Sequence, residues 1–196
     1  MRFQVSGLHH LTNYEFTNYD LRIISGNFRG KRIIAPKSLP VRPTTDFAKE
    51  GLFNILDNNY EFNNIKVLDL FSGTGNISYE FASRGTKNIT AIDNYYECIN
   101  FINKTAQNLN FEQLNAIKTD ALFFLDKYYN KYDVIFADPP FDYQNLNLLI
   151  EKVFENMLLE EDGVFILEHN AKNKFDDNPH FYKHKKYGAV NFTFFM

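Results

Sequence analysis

Residues 66–76 read Lys-Val-Leu-Asp-Leu-Phe-Ser-Gly-Thr-Gly-Asn, and this stretch decides the fold. Lys66–Leu70 has the apolar character of a buried strand, and two glycines follow it closely. The spacing of Ile77, Phe81 and Ala82 then places these three side chains on one apolar helix face. A strand, a glycine turn and a helix in this order predict the first βα unit of a doubly wound α/β sheet.

The glycine turn limits the kind of ligand. Gly73 and Gly75 would let the backbone approach a bound molecule closely. The dinucleotide fingerprint has a third small residue, Gly or Ala, where this chain has Ser78, so a pyrophosphate is poorly supported. Asp69, at the end of the strand, would also repel a phosphate. A carboxylate at this place favours a cationic amine or sulfonium instead.

The same alternation continues along the chain. Apolar runs of strand type recur at 88–92, 115–118, 132–136 and 163–167. Helical patterns at 95–108, 121–128 and 146–158 lie between them, and an antiparallel hairpin of 181–187 and 190–195 follows. Strands that alternate with helices predict a mainly parallel sheet.

Acidic residues recur where the predicted strands end. Asp69, Asp93 and Asp120 lie at or just past the ends of three successive strands, and Asp138 ends the fourth. The carboxyl ends of parallel strands meet at one edge of an open sheet, where ligands bind. Four such residues in step predict a cleft with a cofactor half and a substrate half.

Two of these residues have a second interpretation. Asp93 follows Gly75 by 18 residues, where an acidic side chain takes a pair of ribose hydroxyls, but it could also cap the helix 95–108. The two roles do not exclude each other. Asp120 could contact an adenine amine, or it could only cap the helix 121–128.

The stretch Asp133–Phe141, Asp-Val-Ile-Phe-Ala-Asp-Pro-Pro-Phe, carries the chemistry. Pro139 and Pro140 end the strand and have no N–H, so the carbonyls beside them can face a cavity in a fixed direction. Phe141 adds a flat apolar face. A carboxylate, a rigid carbonyl and an aromatic ring suit a planar base with an exocyclic amine. The alternative is a strand that ends in a proline turn with a buried Phe.

Composition narrows the class of protein. The 196 residues, 44% of them hydrophobic, suffice for one domain with a sizeable core. The single cysteine, Cys98, excludes an internal disulfide and a cysteine-built zinc site, and it fits the reducing cytoplasm. No apolar run approaches the roughly 18 residues of a membrane span, and residues 1–20 lack a signal-peptide pattern. We expect a cytoplasmic protein that needs neither a membrane nor a metal.

The charge is unevenly distributed. Residues 21–49 carry a net charge of +6, against −3 for the whole chain, which leaves −9 on the remainder. The basic residues of this segment are Arg22, Arg29, Lys31, Arg32, Lys37, Arg42 and Lys49. Short β-type runs at 21–25 and 31–35 predict a hairpin with Arg29 at its tip, followed by a proline-rich linker to residue 43. A basic arm on an acidic body indicates phosphate binding, although a solvated hairpin face is the plainer alternative.

The motifs together resemble one family. LRIISGNFRGKRIIAP and RPTTDFAKEGLFNIL, with DLFSGTG, DPPF, FILEH and KKYGAVNFTFF, are similar to the small bacterial methyltransferases that modify N2 of one guanine in small-subunit ribosomal RNA. The resemblance covers Leu21–Met196. It implies a Rossmann-like class I methyltransferase fold: a mostly parallel seven-stranded sheet with an antiparallel C-terminal strand, and a small N-terminal hairpin.

The resemblance also assigns roles to residues. S-adenosylmethionine would be the cofactor, held by Thr44, Thr45, Asp69, Phe71, Gly73, Gly75, Asp93, Asp120 and Ala121. The catalytic turn would be Asp138, Pro139, Pro140 and Phe141. Ribosomal RNA or the assembled small subunit would meet Arg22, Arg29, Lys31, Arg32 and Arg42. The implied division is a poorly ordered extension over 1–20, the basic hairpin and linker over 21–43, and a methyltransferase domain over 44–196, acting as a monomer.

Two other functions remain open. A DNA adenine-N6 methyltransferase can share the Asp-Pro-Pro motif, but it usually needs a larger base-reading region than this chain offers. A non-catalytic RNA-binding assembly protein on the same fold would be expected to have a broken cofactor loop, and Phe71–Asn76 is intact.

Overall fold

Strands and helices alternate through the computed structural model, which describes residues 18–39 and 44–196. The strands are β1 Tyr19–Arg22, β2 Arg32–Ala35, β3 Lys66–Leu70, β4 Asn88–Asp93, β5 Leu114–Lys118, β6 Tyr132–Ala137, β7 Leu159–His169, β8 Phe181–Tyr187 and β9 Val190–Phe195. The helices are α1 Asp46–Asp57, α2 Asn76–Ser83, α3 Tyr96–Leu109, α4 Ala121–Lys127 and α5 Leu146–Glu155. A single 3-10 turn, Phe62–Asn64, precedes β3.

Seven strands form the central sheet in the order β5-β4-β3-β6-β7-β9-β8. Strands β3 to β7 pair in parallel, and β9 is antiparallel to both of its neighbours. The predicted mostly parallel seven-stranded sheet with an antiparallel C-terminal strand is therefore confirmed. The sheet order reverses between β3 and β6, and a reversal of this kind opens a crevice at the carboxyl ends of the strands.

Helices cover both faces of the sheet, which is the Rossmann-like arrangement. On one face α1, α2 and α3 pack together with the N-terminal hairpin, around residues such as Phe53, Phe81 and Ile102. On the other face α4 and α5 pack through residues such as Phe124 and Leu149. The central strands are continuous apolar runs because neither of their faces meets water.

The predicted N-terminal hairpin is present as a separate two-stranded antiparallel sheet of β1 and β2. The first strand begins earlier than predicted, since Tyr19 pairs with Ala35. Two residues of the expected extension therefore belong to the hairpin, and the prediction of a strand over 21–25 was wrong at both ends. Residues 1–17 and 40–43, which include the predicted RNA contact Arg42, lie outside the described residues.

The hairpin departs from strand geometry because helix α2 takes over its backbone donors. The N–H groups of Ile24 and Ser25 donate to the two carboxylate oxygens of Glu80, at 2.8 and 2.9 Å. The N–H of Phe28 donates to Ser83 Oγ at 2.9 Å. These bonds join the hairpin to a helix more than 50 residues further along the chain, and they fix its position on the sheet domain.

A fully buried lysine completes this junction. Lys49 Nζ on α1 donates to the Arg22 carbonyl and to Asn76 Oδ1, both at 2.7 Å, and lies 3.4 Å from Glu80. The side chains of Lys49 and Glu80 are 0% exposed. Burial is the main cause that lowers the pKa of Lys49, and the Glu80 carboxylate opposes it. The hairpin, α1 and α2 therefore share one buried ion pair.

Gly51 in the middle of α1 permits close contact with β8. A Cβ on this residue would collide with the ring of Tyr187, whose hydroxyl donates to the Gly51 carbonyl at 3.2 Å. The ring of Phe47, one helical turn earlier, also packs edge-to-face on Tyr187. The glycine is thus required because an aromatic side chain of the last hairpin crosses the helix here.

The connection before the last parallel strand also differs from the prediction. Helix α5 ends at Glu155 rather than at 158, and β7 begins at Leu159 rather than at 163. The early part of β7 contains a bulge, because the pairing moves from Tyr132↔Leu159 to Val134↔Val164. Within the described part of the chain, no helix has the length and apolarity to cross a membrane.

Candidate active site

The four predicted acidic residues lie on one edge of the sheet. Asp69 is the penultimate residue of β3 and Asp93 is the last of β4. Asp120 follows β5 after one residue, and Asp138 directly follows β6. These four strands are neighbours and run in parallel, so their carboxyl ends meet.

The loop between β3 and α2 adopts backbone conformations that most residues avoid. The φ angles of Phe71, Gly73 and Gly75 are 60°, 53° and 80°. A phenylalanine in the left-handed region is uncommon, and strain of this kind is concentrated at functional loops. At Gly75 a Cβ would also lie 2.6 Å from the ring of Tyr79. Packing beneath the loop is therefore a second reason for this glycine, one that the sequence did not reveal.

Asp93 ties this loop to the neighbouring strand. Its Oδ2 accepts from the N–H of Gly73 at 2.8 Å, and its Oδ1 accepts from the N–H of Tyr95 at 2.9 Å. The residue is 7% exposed. Asp93 therefore orders the glycine loop and the turn before α3, whose first residue is Tyr96. The backbone N–H of Asn94 also interacts with this carboxyl group. The ribose contact remains a prediction.

Asp120 caps helix α4, as one of the two interpretations predicted. Its Oδ1 accepts from the N–H of Phe123 at 3.0 Å, and the next residue, Ala121, is buried. The carboxyl group is exposed, and its second oxygen has no hydrogen-bond partner among the described residues. The adenine contact remains a prediction that this geometry permits.

Asp69 is more deeply enclosed than the other three residues. It is 1% exposed, and the hydroxyl of Ser78 donates to its Oδ2 at 2.5 Å. Burial raises the pKa of Asp69 to about 7, against the lowering effect of the Ser78 hydrogen bond. Ser78, which does not fit the dinucleotide fingerprint, therefore supports this carboxyl group from inside α2.

The turn after β6 projects into the space beside the glycine loop. Pro139 is buried, Asp138 is half-buried, and the ring of Phe141 is 74% exposed. The buried-Phe alternative was therefore wrong. The ring of Tyr143 follows in the same turn and packs edge-to-face on Phe71, with the centroids 5.1 Å apart. The residues just after the Asp-Pro-Pro-Phe motif are therefore in contact with the first residue of the predicted cofactor loop.

One further carboxyl group belongs to this edge and was not predicted as a site residue. Glu168, near the end of β7, occupies the position equivalent to Asp138, because Ala137 pairs with Leu167 in the preceding register step. It is 7% exposed. Burial, and then the negative charge of Glu168, raise the pKa of Asp138 well above its usual range. The sequence could have indicated this residue. Glu168 comes directly after the fifth predicted strand, and the other four acids lie at or just past the ends of the other predicted strands.

Thr44 lies between the two carboxyl groups. Its Oγ1 donates to Glu168 Oε2 at 2.9 Å, and its hydroxyl also interacts with the side chain of Asp138. The carbonyl of Thr44 accepts from Asn76 Nδ2 at 3.0 Å, which joins it to the start of α2. Its neighbour Thr45 caps α1 by accepting from the N–H of Ala48 at 3.3 Å. The predicted cofactor residue Thr44 thus also contacts the acidic residues at the ends of β6 and β7.

The predicted RNA contacts on the hairpin fall into two groups. Arg22 forms an ion pair with Asp46 at 3.0 Å, and Arg32 pairs with Asp20. Arg29 and Lys31 are exposed and have no acidic partner within residues 18–39 and 44–196. The net charge of +6 for residues 21–49 overstates the surface charge of this arm. Lys49 is buried, and Asp20, which belongs to the hairpin, lies outside the counted segment.

A cleft of about 430 Å³ lies where the hairpin meets the starts of α1 and α2. Its lining includes Tyr19, Lys37 and Asp46 on the hairpin side, and Thr44 and Asn76 on the side of the glycine loop. A smaller cavity of about 210 Å³ opens at the opposite edge of the sheet, beside the amino ends of β3, β4 and β6. Ligands of parallel sheets bind at the carboxyl ends, and the larger cleft is joined to that edge through Thr44, which contacts Glu168.

Comparison with known proteins identifies the family of this chain. Residues 21–196 match the model of the family described as conserved hypothetical protein 95. The ribosomal RNA small subunit methyltransferase D of Buchnera aphidicola subsp. Baizongia pistaciae is 30% identical over 180 residues, which cover 90% of this chain and 91% of that protein. The protein of the same name from Haemophilus influenzae is 31% identical over 184 residues, with 90% and 94% covered.

A solved structure agrees with these relatives. The Escherichia coli protein yhhF, a candidate methyltransferase by its description, superposes with a TM-score of 0.77 at 26% identity, and the match covers 90% of this chain and 97% of that one. Sequence and fold agree over nearly the whole of the described chain. The chain therefore belongs to the family described as conserved hypothetical protein 95, the methyltransferase family that its motifs resemble.

Proposed function

We propose that this protein transfers a methyl group from S-adenosylmethionine to the N2 amine of a guanine in small-subunit ribosomal RNA. The contact between Phe71 and Tyr143 is the observation that carries the proposal most directly. It supports the proposal because Tyr143 follows the turn that would hold an amine, and Phe71 begins the loop that would hold the cofactor. The relatives named ribosomal RNA small subunit methyltransferase D support the class of RNA.

The chain offers a suitable site for S-adenosylmethionine. Asp69, Asp138 and Glu168 are buried or half-buried at the sheet edge, and no Lys or Arg of the described residues forms an ion pair with them. Buried carboxyl groups without a cation fit a ligand that brings positive charge. When bound, S-adenosylmethionine supplies an electrophilic methyl group on a sulfonium. The glycine loop with Thr44 and Thr45 would hold its methionine part, Asp93 the ribose, and Asp120 with the Ala121 backbone the adenine.

Asp138 and Pro139 would prepare the amine. The lone pair of an amine attached to a purine is delocalised into the ring, so it is a poor nucleophile. If the Asp138 carboxylate and the Pro139 carbonyl accept its two hydrogens, the nitrogen becomes more pyramidal and its lone pair turns toward the methyl group. Asp138 would also stabilise the positive charge that develops on the nitrogen.

The exposed ring of Phe141 would stack on a base that has been turned out of its RNA helix. Arg29 and Lys31, which are exposed and unpaired within the described chain, would contact phosphates and leave base selection to the pocket. Arg22 and Arg32 would first have to exchange their carboxylate partners Asp46 and Asp20 for phosphates. We therefore assign the stronger phosphate contacts to Arg29 and Lys31.

Labelled S-adenosylmethionine separates the candidate functions. The protein is incubated with small ribosomal subunits, deproteinised ribosomal RNA or duplex DNA, and the methylated nucleoside is located by mass spectrometry. We expect one N2-methylguanine in ribosomal RNA or subunits. N6-methyladenine in DNA, with both RNA substrates inert, would favour the DNA adenine methyltransferase, and binding of RNA without transfer would favour the assembly protein.

Two variants test the proposed roles within the site. Asp138→Ala should lose most of the transfer at saturating S-adenosylmethionine and keep its affinity for this cofactor. Asp93→Ala should mainly weaken cofactor binding, because it removes both a ribose contact and the bond to Gly73. Calorimetric titration with S-adenosylmethionine and single-turnover rates distinguish the two. Unchanged turnover in Asp138→Ala would contradict the mechanism.

We also propose that the stretch before the hairpin is dispensable, with its end moved from the predicted residue 20 to residue 18. The hairpin begins at Tyr19, so a deletion should stop before this residue. Deletion of 1–18 should leave the urea unfolding curve and the methylation rate unchanged. A variant of this length that does not fold would show that the N-terminal stretch belongs to the domain.

A further inference from the structure

Glu168 is a buried acid at the catalytic edge for which the proposed mechanism has no use. It stands beside Asp138 because β6 and β7 pair in parallel and each acid follows the pair Ala137↔Leu167. The two carboxyl groups therefore face the same crevice from neighbouring strands. An acid without a function at this place would cost stability, since a buried carboxylate needs a partner.

The hydrogen bonds around Glu168 leave one of its oxygens available. Oε2 accepts from Thr44 Oγ1 at 2.9 Å. Oε1 has no hydrogen-bond partner in the described part of the chain. The hydroxyl of Thr44 carries one hydrogen, so it cannot satisfy Glu168 and Asp138 at the same time. The three side chains together have more acceptors than donors.

Within the described part of the chain, no cation pairs with these acids. Among residues 18–39 and 44–196, neither Glu168 nor Asp138 forms an ion pair with Lys, Arg or His. The only hydrogen-bond donor that these acids have among the described residues is the Thr44 hydroxyl. Two adjacent carboxyl groups therefore suit a ligand that presents two adjacent donors. The Watson–Crick side of guanine has this pattern, because the N1–H lies next to the N2 amine.

We propose that Glu168 accepts the N1–H of the target guanine while Asp138 accepts a hydrogen of its N2 amine, so that the pair selects guanine. This inference rests on the proposed function and names the residue that would give that function its base specificity. Adenine has an N1 lone pair beside its exocyclic amine. That lone pair would face the Glu168 carboxylate, and the buried acceptor would be left unpaired.

The pKa of the acid agrees with this geometry. Burial is the largest cause that raises the pKa of Glu168, and the Thr44 hydrogen bond opposes it. A donor from the substrate would act in the same direction as Thr44 and favour the carboxylate. Guanine binding should therefore lower the pH at which this acid ionises.

A substrate that differs from guanine at the pyrimidine-ring edge tests the proposal. Once the methylated guanine has been located, the small-subunit RNA is assembled by splinted ligation with guanine or 2-aminopurine at this position. It is reconstituted with ribosomal proteins if the particle is the substrate. 2-Aminopurine keeps the amine but has no N1–H, and it also lacks the oxygen at C6. The ratio of kcat/KM for the two bases is measured for the wild type and for Glu168→Gln.

The wild type should prefer guanine by about 10- to 100-fold, the range for a hydrogen bond to a charged group. Glu168→Gln should reduce this preference about tenfold or more, because its amide can turn and donate to the N1 of 2-aminopurine. The ratio is taken within one preparation, so a loss of folded protein cancels. Thr44→Val, which keeps both carboxyl groups, should slow both substrates and leave the ratio close to that of the wild type.

Equal rates for the two bases in the wild type, or an unchanged ratio in Glu168→Gln, would overturn the inference while leaving the proposed function intact. No methylation of guanine by the wild type would instead refute the proposed function, and this inference with it.

Discussion

The molecule buries two groups of charges, and they are built in opposite ways. At the hairpin junction, Lys49 and Glu80 are fully buried, oppositely charged and surrounded by hydrogen bonds to the Arg22 carbonyl and the hairpin N–H groups. At the sheet edge, the neighbouring acids Asp138 and Glu168 have the same charge and share one hydroxyl.

The difference indicates what each group is for. A satisfied ion pair holds parts of the chain together, and the removal of one partner leaves an uncompensated charge. A group of like charges lowers the stability of the free protein and is retained where a ligand completes it. The junction should therefore respond to mutation as a structural element, and the edge as a binding site.

The largest effect is expected at the junction. Glu80→Gln would leave Lys49 buried without an anion and weaken the bonds to Ile24 and Ser25, so we expect it to lower the free energy of unfolding by about 3–5 kcal/mol. Urea denaturation measures this value. Glu160→Gln, which removes a surface ion pair with Lys66, is the matched control and should cost less than about 1 kcal/mol. Equal losses in the two variants would show that the buried ion pair contributes no more to stability than a surface ion pair.

At the acidic edge, ionisation should lower the free energy of unfolding, whereas the charges of the ion pair at the junction stabilise the fold. The folded-state pKa of Asp69 is about 7, above its unfolded value of 3.8. The unfolded chain therefore releases its proton first, and the free energy of unfolding should fall as the pH rises from about 4 to about 7, on the order of 2–4 kcal/mol. Asp138 and Glu168 should add to the same slope.

Asp69→Asn should remove the contribution of Asp69 to this decline in the free energy of unfolding. Unfolding curves at several pH values would show a flatter profile in the variant than in the wild type. The control is Asp177→Asn, at an exposed position outside the site, which should leave the profile unchanged. A free energy of unfolding of the wild type that rises over this pH range would contradict the predicted direction.

A smaller effect is expected where α1 meets β8. Gly51→Ala gains about 1 kcal/mol of helix propensity, but its Cβ would collide with Tyr187, and overpacking costs about 1–3 kcal/mol. We expect a net loss of stability. Asn54→Ala, an exposed change in the same helix, should cause no loss. If Gly51→Ala stabilises the protein, Tyr187 moves easily and the contact is loose.

The smallest effect on stability is expected at the exposed end of the hairpin. Replacing Arg29 and Lys31 by Ala should change the free energy of unfolding by less than about 0.5 kcal/mol, because neither has a partner in the described chain. The same variant should lower the slope of log Kd against log salt for ribosomal RNA by about 1 per residue. Lys87→Ala with Lys104→Ala, at two exposed positions off the hairpin, should change neither quantity. An unchanged slope in the hairpin variant would remove Arg29 and Lys31 from the RNA contacts.

The sequence predicted the features that depend on local pattern. Apolar runs between glycines and prolines identified the parallel strands, and residues that follow them, such as Asp93 and Asp138, marked the right edge. It did not predict features that depend on distant contacts. Ile24 and Ser25 leave the strand because Glu80, more than 50 residues away, accepts their N–H groups. Thr44 meets Glu168 across 124 residues, a contact that no local pattern encodes.

The sheet order has a consequence for how the chain folds. Strand β9 is synthesised after β7 and β8, yet it lies between them, and its residues Phe192, Phe194 and Phe195 are at most 1% exposed. As the chain leaves the ribosome, β7 has no partner on this side until β9 has been synthesised. Such an edge can pair with other chains. Between the synthesis of β7 and that of β9, this edge is therefore open to pairing with other chains.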